Sequence, residues 1–391
     1  MKKQTIAINT PYVRPDVYGS LAVPVYNNVA FEFQDAAEMA DAFCNRIKAP
    51  DYARVENPTV TNLEQRVMAL TGAAHVTAFN SGMAAISNTL LAVAAQGRNI
   101  VSSHHLFGNT LALITNTLQR YGVEPRLRDL TNLQAVEDAI DANTCCVFLE
   151  VLTNPQLEVA DLQALAEIAH KKNVPLIADS TAIPFTETSL KTLGVDIEVV
   201  SSTKYVSGGG TSLGGLVIDY GTFPEINQRL KYELLFNLGA YMTPQAAYMQ
   251  TLGLETMDAR YQRQTANAQQ VAEALRTVPA ICRVNYIGLK DNPFYALARK
   301  QFGPTSGAML TIDLASKEAC FRFLNRLRVV HRATNLFDNR SLAIHPASTI
   351  FGLFPEKQLQ QMDVRQTTIR LSIGLESAED VINDIKQAVE E

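Results

Sequence analysis

An α/β protein, with a mostly parallel sheet followed by a smaller α+β unit, is predicted by three observations on the sequence. From Val60 onward, short apolar runs alternate with segments of helical periodicity, the pattern of a sheet covered by helices on both faces. After about residue 255 this alternation gives way to a long polar-faced helix and separated short strands. Before about residue 57 the chain carries Pro11, Pro15, Pro24 and Pro50, with Pro58 just beyond, and shows no sustained period, which reads as an extended arm. The organisation expected is an arm over 1–57, a main domain over 58–255 and a C-terminal domain over 256–391.

Seven strand-like runs lie at 74–76, 100–102, 124–127, 145–150, 175–179, 197–201 and 215–218, separated by helical stretches such as 84–95, 110–121 and 162–172. The C-terminal part predicts a helix over 259–275, strands near 308–312 and 368–371, and a closing helix over 378–390. At 391 residues, 47% hydrophobic and 19% charged, the chain is long and apolar enough for two cores. The net charge of −5, with no basic cluster interleaved with aromatics, argues against a nucleic-acid partner. The opening residues Met1-Lys2-Lys3-Gln4-Thr5 are followed by Asn9, Thr10, Arg14 and Asp16 rather than by an apolar signal core, and no run is long enough to cross a bilayer, so a cytoplasmic location is expected. None of the five cysteines stands in a C-x-x-C spacing, and Cys145 and Cys146 are adjacent in an apolar run. They read as reduced core residues, with no metal site and no disulfide.

The segment Ser201-Ser202-Thr203-Lys204-Tyr205 follows an apolar strand and precedes the glycine-rich run at 208–215. A lysine desolvated there can lose its charge near neutral pH and attack a carbonyl, although a surface lysine in a loop fits the same letters. Ser81-Gly82-Met83-Ala84-Ala85 opens an apolar helix, where free amides and the helix dipole favour a phosphate; an ordinary serine N-cap is the alternative. Asp179 and Asn154 end strands at the edge where open α/β sheets bind ligands, and each could equally serve a turn. Arg370 sits inside an apolar strand and needs an anion, either a substrate carboxylate or a structural acid. His345 reads as a turn or core histidine, and the glycine-rich run lacks the lysine-hydroxyl pair of a nucleotide loop.

Taken in order, Tyr52-Ala53-Arg54-Val55-Glu56-Asn57-Pro58-Thr59, Ser81 through Ala85, Glu150 through Asn154-Pro155, Asp179-Ser180-Thr181, Ser201 through Lys204, and Arg370-Leu371-Ser372-Ile373-Gly374 resemble the pyridoxal-phosphate enzymes of cysteine and methionine metabolism. That resemblance implies a fold-type I pyridoxal-phosphate transferase whose cofactor-binding domain covers 58–255. It implies that Lys204 holds the cofactor as a Schiff base and moves protons between substrate carbons. It also implies that Asp179 pairs with the pyridine nitrogen and Phe107 stacks on the ring. Ser81, Gly82, Met83, Thr181, Ser201 and Thr203 complete the cofactor set by the same carry-over, and Asn154, Asn335 and Arg370 bind substrate. Tyr52 and Arg54 would reach the phosphate of a neighbouring subunit, implying a homotetramer of two dimers with shared active sites.

Within the family, Gly210 through Asp219, Gly253 through Met257, Asn335 and Ser341 through Thr349 look most like O-acetylhomoserine sulfhydrylases. The reaction implied is replacement of acetate at the γ carbon by sulfide or a small thiol, giving homocysteine or methionine. Three positions depart from the family pattern: Phe107 replaces a tyrosine, Ser180 an asparagine and Gly209 a histidine. Phe107 keeps a stacking face but has no hydroxyl for acid–base work, and it also resembles sulfhydrylases that take the succinyl ester. A γ- or β-lyase on methionine, cystathionine or cysteine is the alternative within the fold, and a non-catalytic binding module the alternative outside it.

Overall fold

The computed structural model describes residues 1–10 and 18–390, so Pro11 and Pro15 of the expected arm lie outside the described residues. The arm is not extended throughout. Helix α1 (Lys3–Asn9) lies against α3 (Pro58–Thr71): Arg66 of α3 donates to the Ala7 carbonyl at 2.7 Å and to Glu255 Oε1 at 3.0 Å, and Lys3 Nζ donates to the Phe185 carbonyl at 2.9 Å. Helix α2 (Ala36–Phe43) is capped by Asp35, whose carboxylate accepts from the amides of Ala37 and Glu38. Seven and eight residues make about two turns each, too short for periodicity to reveal, and tertiary contact holds α1. Elsewhere in this segment Leu21, Val29, Met39 and Phe43 stand exposed.

All seven expected strands join one sheet: β1 (His75–Phe79), β2 (Asn99–Ser102), β3 (Glu124–Leu127), β4 (Thr144–Glu150), β5 (Leu176–Asp179), β6 (Ile197–Val200) and β7 (Gly215–Asp219), in the order β1-β7-β6-β5-β4-β2-β3. Strands β3, β2, β4, β5 and β6 are parallel, and β7 is antiparallel to both its neighbours, so β1 again runs with the parallel set. Every residue of β4, β5 and β6 is buried, as a sheet covered on both faces requires. The pleat divides them: Val147 and Leu149 enter one apolar core, Cys146 and Phe148 the other. Because β1 shares the direction of β6, helix α4 (Gly82–Val93) starts at the same edge where β4, β5 and β6 end. That edge is where the site forms.

A second sheet contains β8 (Arg283–Asn285), β9 (Met309–Asp313), β10 (His331–Arg332), β11 (Leu342–Ile344) and β12 (Thr368–Ser372), ordered β10-β11-β12-β9-β8. Strands β9 and β12 and the closing helix Ala378–Val389 were expected, whereas β8, β10 and β11 have two or three residues and leave no alternation to read. The long helix is Pro244–Leu275, 32 residues, and it runs without a break through the change of composition at 255. Its first half was missed because a capping Thr243 and Pro at the first turn, rather than periodicity, mark its start. All five cysteines are free thiols. Cys145, Cys146 and Cys320 are buried, but Cys44 and Cys282 are exposed, the first beyond the end of α2 and the second just before β8, so these two are not core residues. Among the described residues no helix is long and apolar enough to cross a membrane.

Candidate active site

A cavity of about 750 Å³ opens between the C-terminal edge of the large sheet and strand β12 of the small one. Its wall includes Ser81, Gly82, Met83, Phe107, Asn154, Asp179, Thr181, Ser201, Thr203, Lys204, Asn335 and Arg370, so twelve of the fourteen residues singled out from the sequence meet in one place. Tyr52 and Arg54 do not line it. Arg54 donates to the Phe236 carbonyl and lies over the Tyr52 ring, 5.4 Å from its centroid.

Lys204 enters the cavity from the turn after β6, and its Nζ lies 2.8 Å from Asn335 Oδ1. Asn335 in turn donates through Nδ2 to Asp338 Oδ2 at 3.1 Å, which fixes which end of the amide faces the lysine. Burial, then the positive charge of Arg370, lowers the lysine to about 8 against a partial counter-effect from Asp338. The amine is therefore available as a nucleophile near neutral pH.

Arg370 is buried in β12 and has no carboxylate partner among the described residues. It donates to Asn154 Oδ1 at 3.2 Å and to the carbonyls of Thr334 and Asn335 at 3.1 and 3.3 Å, and its Nε has no partner. Burial lowers it to about 9. Asp179 presents the opposite deficit: it is buried, its partners are the amide and hydroxyl of Thr181, and burial raises it. A buried cation and a buried carboxyl in one cavity call for a carboxylate beside Arg370 and a protonated nitrogen beside Asp179.

The start of α4 supplies the third element. Ser81 caps the helix by accepting from the Ala84 amide at 3.1 Å, and the Gly82 and Met83 amides belong to the first turn, which has no intrahelical acceptor for them. A Cβ at Gly82 would stand 2.6 Å from Ser201 Cβ and Oγ, so only glycine lets the helix start approach the Ser201 turn this closely. Thr203 is engaged structurally: its hydroxyl accepts from the Gly214 amide at 3.0 Å and donates to the Gly214 carbonyl at 3.2 Å, tying the glycine-rich loop to the lysine turn. Thr181 accepts the Ser201 amide at 2.8 Å.

Sequence reasoning assigned no role to Glu150, Thr334 or Asp338, which also line the cavity. Glu150 could have been weighed as Asp179 was, being an acid that ends an apolar strand. Thr334 and Asp338 lie in irregular chain with no such signal.

A desolvated lysine, the buried carboxyl of Asp179 and free amides at a helix start fit an aldehyde cofactor that carries both a heterocyclic nitrogen and a phosphate, and pyridoxal phosphate has these three groups. The comparisons with known proteins agree. The family model for Cys/Met metabolism PLP-dependent enzymes matches residues 4–390. An L-methionine gamma-lyase of Fusobacterium nucleatum subsp. nucleatum is 37% identical over 100% of this chain and 99% of its own. The O-acetyl-L-homoserine sulfhydrylase of Corynebacterium glutamicum is 33% identical over 93% and 91%. A Campylobacter jejuni crystal structure, provisionally named an O-acetylhomoserine (thiol)-lyase and carrying a pyridoxyl-lysine phosphate, superposes with a TM-score of 0.96 at 34% identity, covering all of both chains. The chain belongs to the Cys/Met metabolism family of PLP-dependent enzymes.

Proposed function

We propose that the protein replaces the acyl group of an O-acylated homoserine, in particular O-acetylhomoserine, with sulfide or a small thiol, giving homocysteine or methionine. The observation that carries this reading is the distribution of charge in the cavity. Lys204 and Arg370 are its only cationic side chains among the described residues, and the rest of the wall includes Met83, Ile86, Leu213, Leu336 and Ile350. Arg370 suits the α-carboxylate, and because the wall offers no third cation and its remaining charged groups are the acids Glu150, Asp179 and Asp338, the distal group of the substrate should itself be uncharged. A thioether is also uncharged, and the Fusobacterium relative named a methionine gamma-lyase favours elimination from methionine as the second reading. Phe107, which has no hydroxyl, weighs toward replacement by leaving Lys204 as the amine that moves protons.

Bound pyridoxal phosphate supplies a protonated ring that withdraws electrons from the substrate carbons. The chain's own residues do the rest. Arg370 and Asn154 would orient the substrate carboxylate, Asp179 would keep the ring nitrogen protonated, and Phe107 would stack on the ring. The amides of Gly82 and Met83, with Ser201, would hold the phosphate. Lys204 Nζ, held by Asn335 Oδ1, would take protons from the α and β carbons so that acetate can leave the γ carbon, and would return them once the thiol has added there.

The test is an end-point assay with O-acetylhomoserine, with and without sulfide, that measures homocysteine and 2-oxobutyrate together. Homocysteine that depends on sulfide is expected, and predominant 2-oxobutyrate in both conditions would move the protein to the lyase reading. O-succinylhomoserine should be worse by roughly 100-fold in kcat/KM, because its distal carboxylate would be desolvated without a partner. Equal use of both esters would sink the charge argument.

We also propose that Tyr52 and Arg54 complete the phosphate seat of a neighbouring copy in a homotetramer. Their position away from their own cavity and the exposed apolar residues of the arm support this. Light scattering should read four chains, and a monomer would overturn the sharing.

A further inference from the structure

Glu150 is a buried acid in the cavity wall that the proposed reaction does not use. It ends β4 directly beside Asp179 at the end of β5, the two being register partners on adjacent parallel strands. Burying a second carboxyl next to the first is unfavourable. Burial, and then the charge of Asp179, raise Glu150 to about 8. A residue that only filled space here would be better served by leucine or methionine.

Its contacts suggest what offsets that cost. Oε1 accepts the amide of Phe107 at 2.5 Å, from a residue 43 positions earlier, and Oε2 accepts the amide of Asn154 at 3.3 Å. Phe107 brings the ring that lines the cavity, and Asn154 brings the side-chain oxygen that holds Arg370 Nη1. A single carboxyl therefore joins the loop before α-helical residues Gly108–Ala112 to the loop after β4, and so joins the ring wall to the carboxylate-binding arginine. No other side chain among the described residues makes hydrogen bonds to both amides.

We propose that Glu150 is a positioning residue: its two oxygens fix the Phe107 ring and the Asn154–Arg370 pair relative to one another, and thereby the angle at which a bound amino acid faces Lys204. This rests on the cofactor and on the assignment of Arg370 to the α-carboxylate, but not on the leaving group or the attacking thiol.

The experiment uses the holoenzyme and glycine, an amino acid with no leaving group, whose binding is read from the cofactor's visible band. Two variants are compared with wild type. Glu150→Gln keeps the size but offers only one acceptor oxygen, and Glu150→Asp keeps the acid but is one methylene too short to reach both amides. Both should retain cofactor and melting temperature, weaken glycine about tenfold, and reduce the circular dichroism of the visible band, which reports the ring's asymmetric surroundings. In an Asn154→Ala background, Glu150→Gln should add less than a further twofold. Unchanged glycine affinity and dichroism in the variants would overturn the proposal, as would fully additive losses with Asn154→Ala. Folded variants that lose the cofactor would also overturn it, by making Glu150 a holder of cofactor rather than of ring and arginine. Because glycine takes no part in replacement or elimination, a failed assay with O-acetylhomoserine leaves this result intact, and the reverse holds too.

Discussion

Lys204→Ala should abolish the cofactor's lysine-linked visible absorbance and lower kcat by at least about 10⁴, since in the proposed mechanism the same amine anchors the cofactor and carries the substrate protons. The geometry makes this loss hard to rescue from within. Asn335 Oδ1 is the hydrogen-bond partner of Lys204 Nζ, and an amide cannot accept a proton in its place. Phe107 has no titratable group, and Asp179 and Glu150 lie at the strand ends with their oxygens on backbone amides. The lowered pKa yields a companion result in the wild-type protein stripped of cofactor. With a value of about 8, roughly a quarter of the amine is neutral at pH 7.5, against about one part in a thousand for an ordinary lysine. The rate of cofactor uptake should therefore rise as pH increases through about 8 and level off above it. A rate flat from pH 6 to 9 would show that the amine is not the titrating nucleophile, and full turnover in Lys204→Ala would refute the mechanism outright.

How much of this site was legible follows from where each residue stands in the chain. Asp179 and Arg370 stood out because a charge at the end of, or inside, an apolar strand contradicts its surroundings, and both prove buried without an opposite charge. Lys204 stood out through the glycine-rich run behind it, which is tied to the lysine turn by Thr203 and Gly214. What joins them was not legible. The Lys204–Asn335 bond spans 131 positions and the Arg370–Asn154 bond 216, and local patterning carries no information on which loops meet. The orientation of Asn335 toward the lysine depends on Asp338, three residues away in irregular chain. The fold divides the same way. Strands β4 to β6 are read easily because both faces are buried, whereas β10 has two exposed residues and exists only through pairing with β11. Tyr52 and Arg54 are a third case, visible as a motif whose proposed destination is a different copy of the chain.

Arg370→Lys should raise the KM for the amino-acid substrate by roughly 100-fold or more while leaving cofactor content unchanged, and Arg370→Ala should raise it further. A guanidinium presents a planar fork that matches a carboxylate with two charge-assisted hydrogen bonds, each worth about 1.5–3 kcal/mol, and an ammonium offers a single point of charge. The contrast is sharpened by what holds the arginine. Asn154 Oδ1 takes Nη1, and the Thr334 and Asn335 carbonyls take Nη2, so the plane of the fork is fixed before substrate arrives. A lysine Nζ at this position has three donors, so it could serve at most two of these three acceptors together with the substrate. Because among the described residues Nε has no partner and no carboxylate compensates the charge, the free protein carries this cation at a cost that an anionic ligand would relieve. Wild-type holoenzyme should accordingly gain thermal stability from glycine, and Arg370→Ala should gain little, as read by melting temperature with and without the amino acid. If Arg370→Ala kept its KM and its ligand-dependent stabilisation, the carboxylate would have to be bound elsewhere, and the orientation assigned to the substrate in this cavity would be reversed.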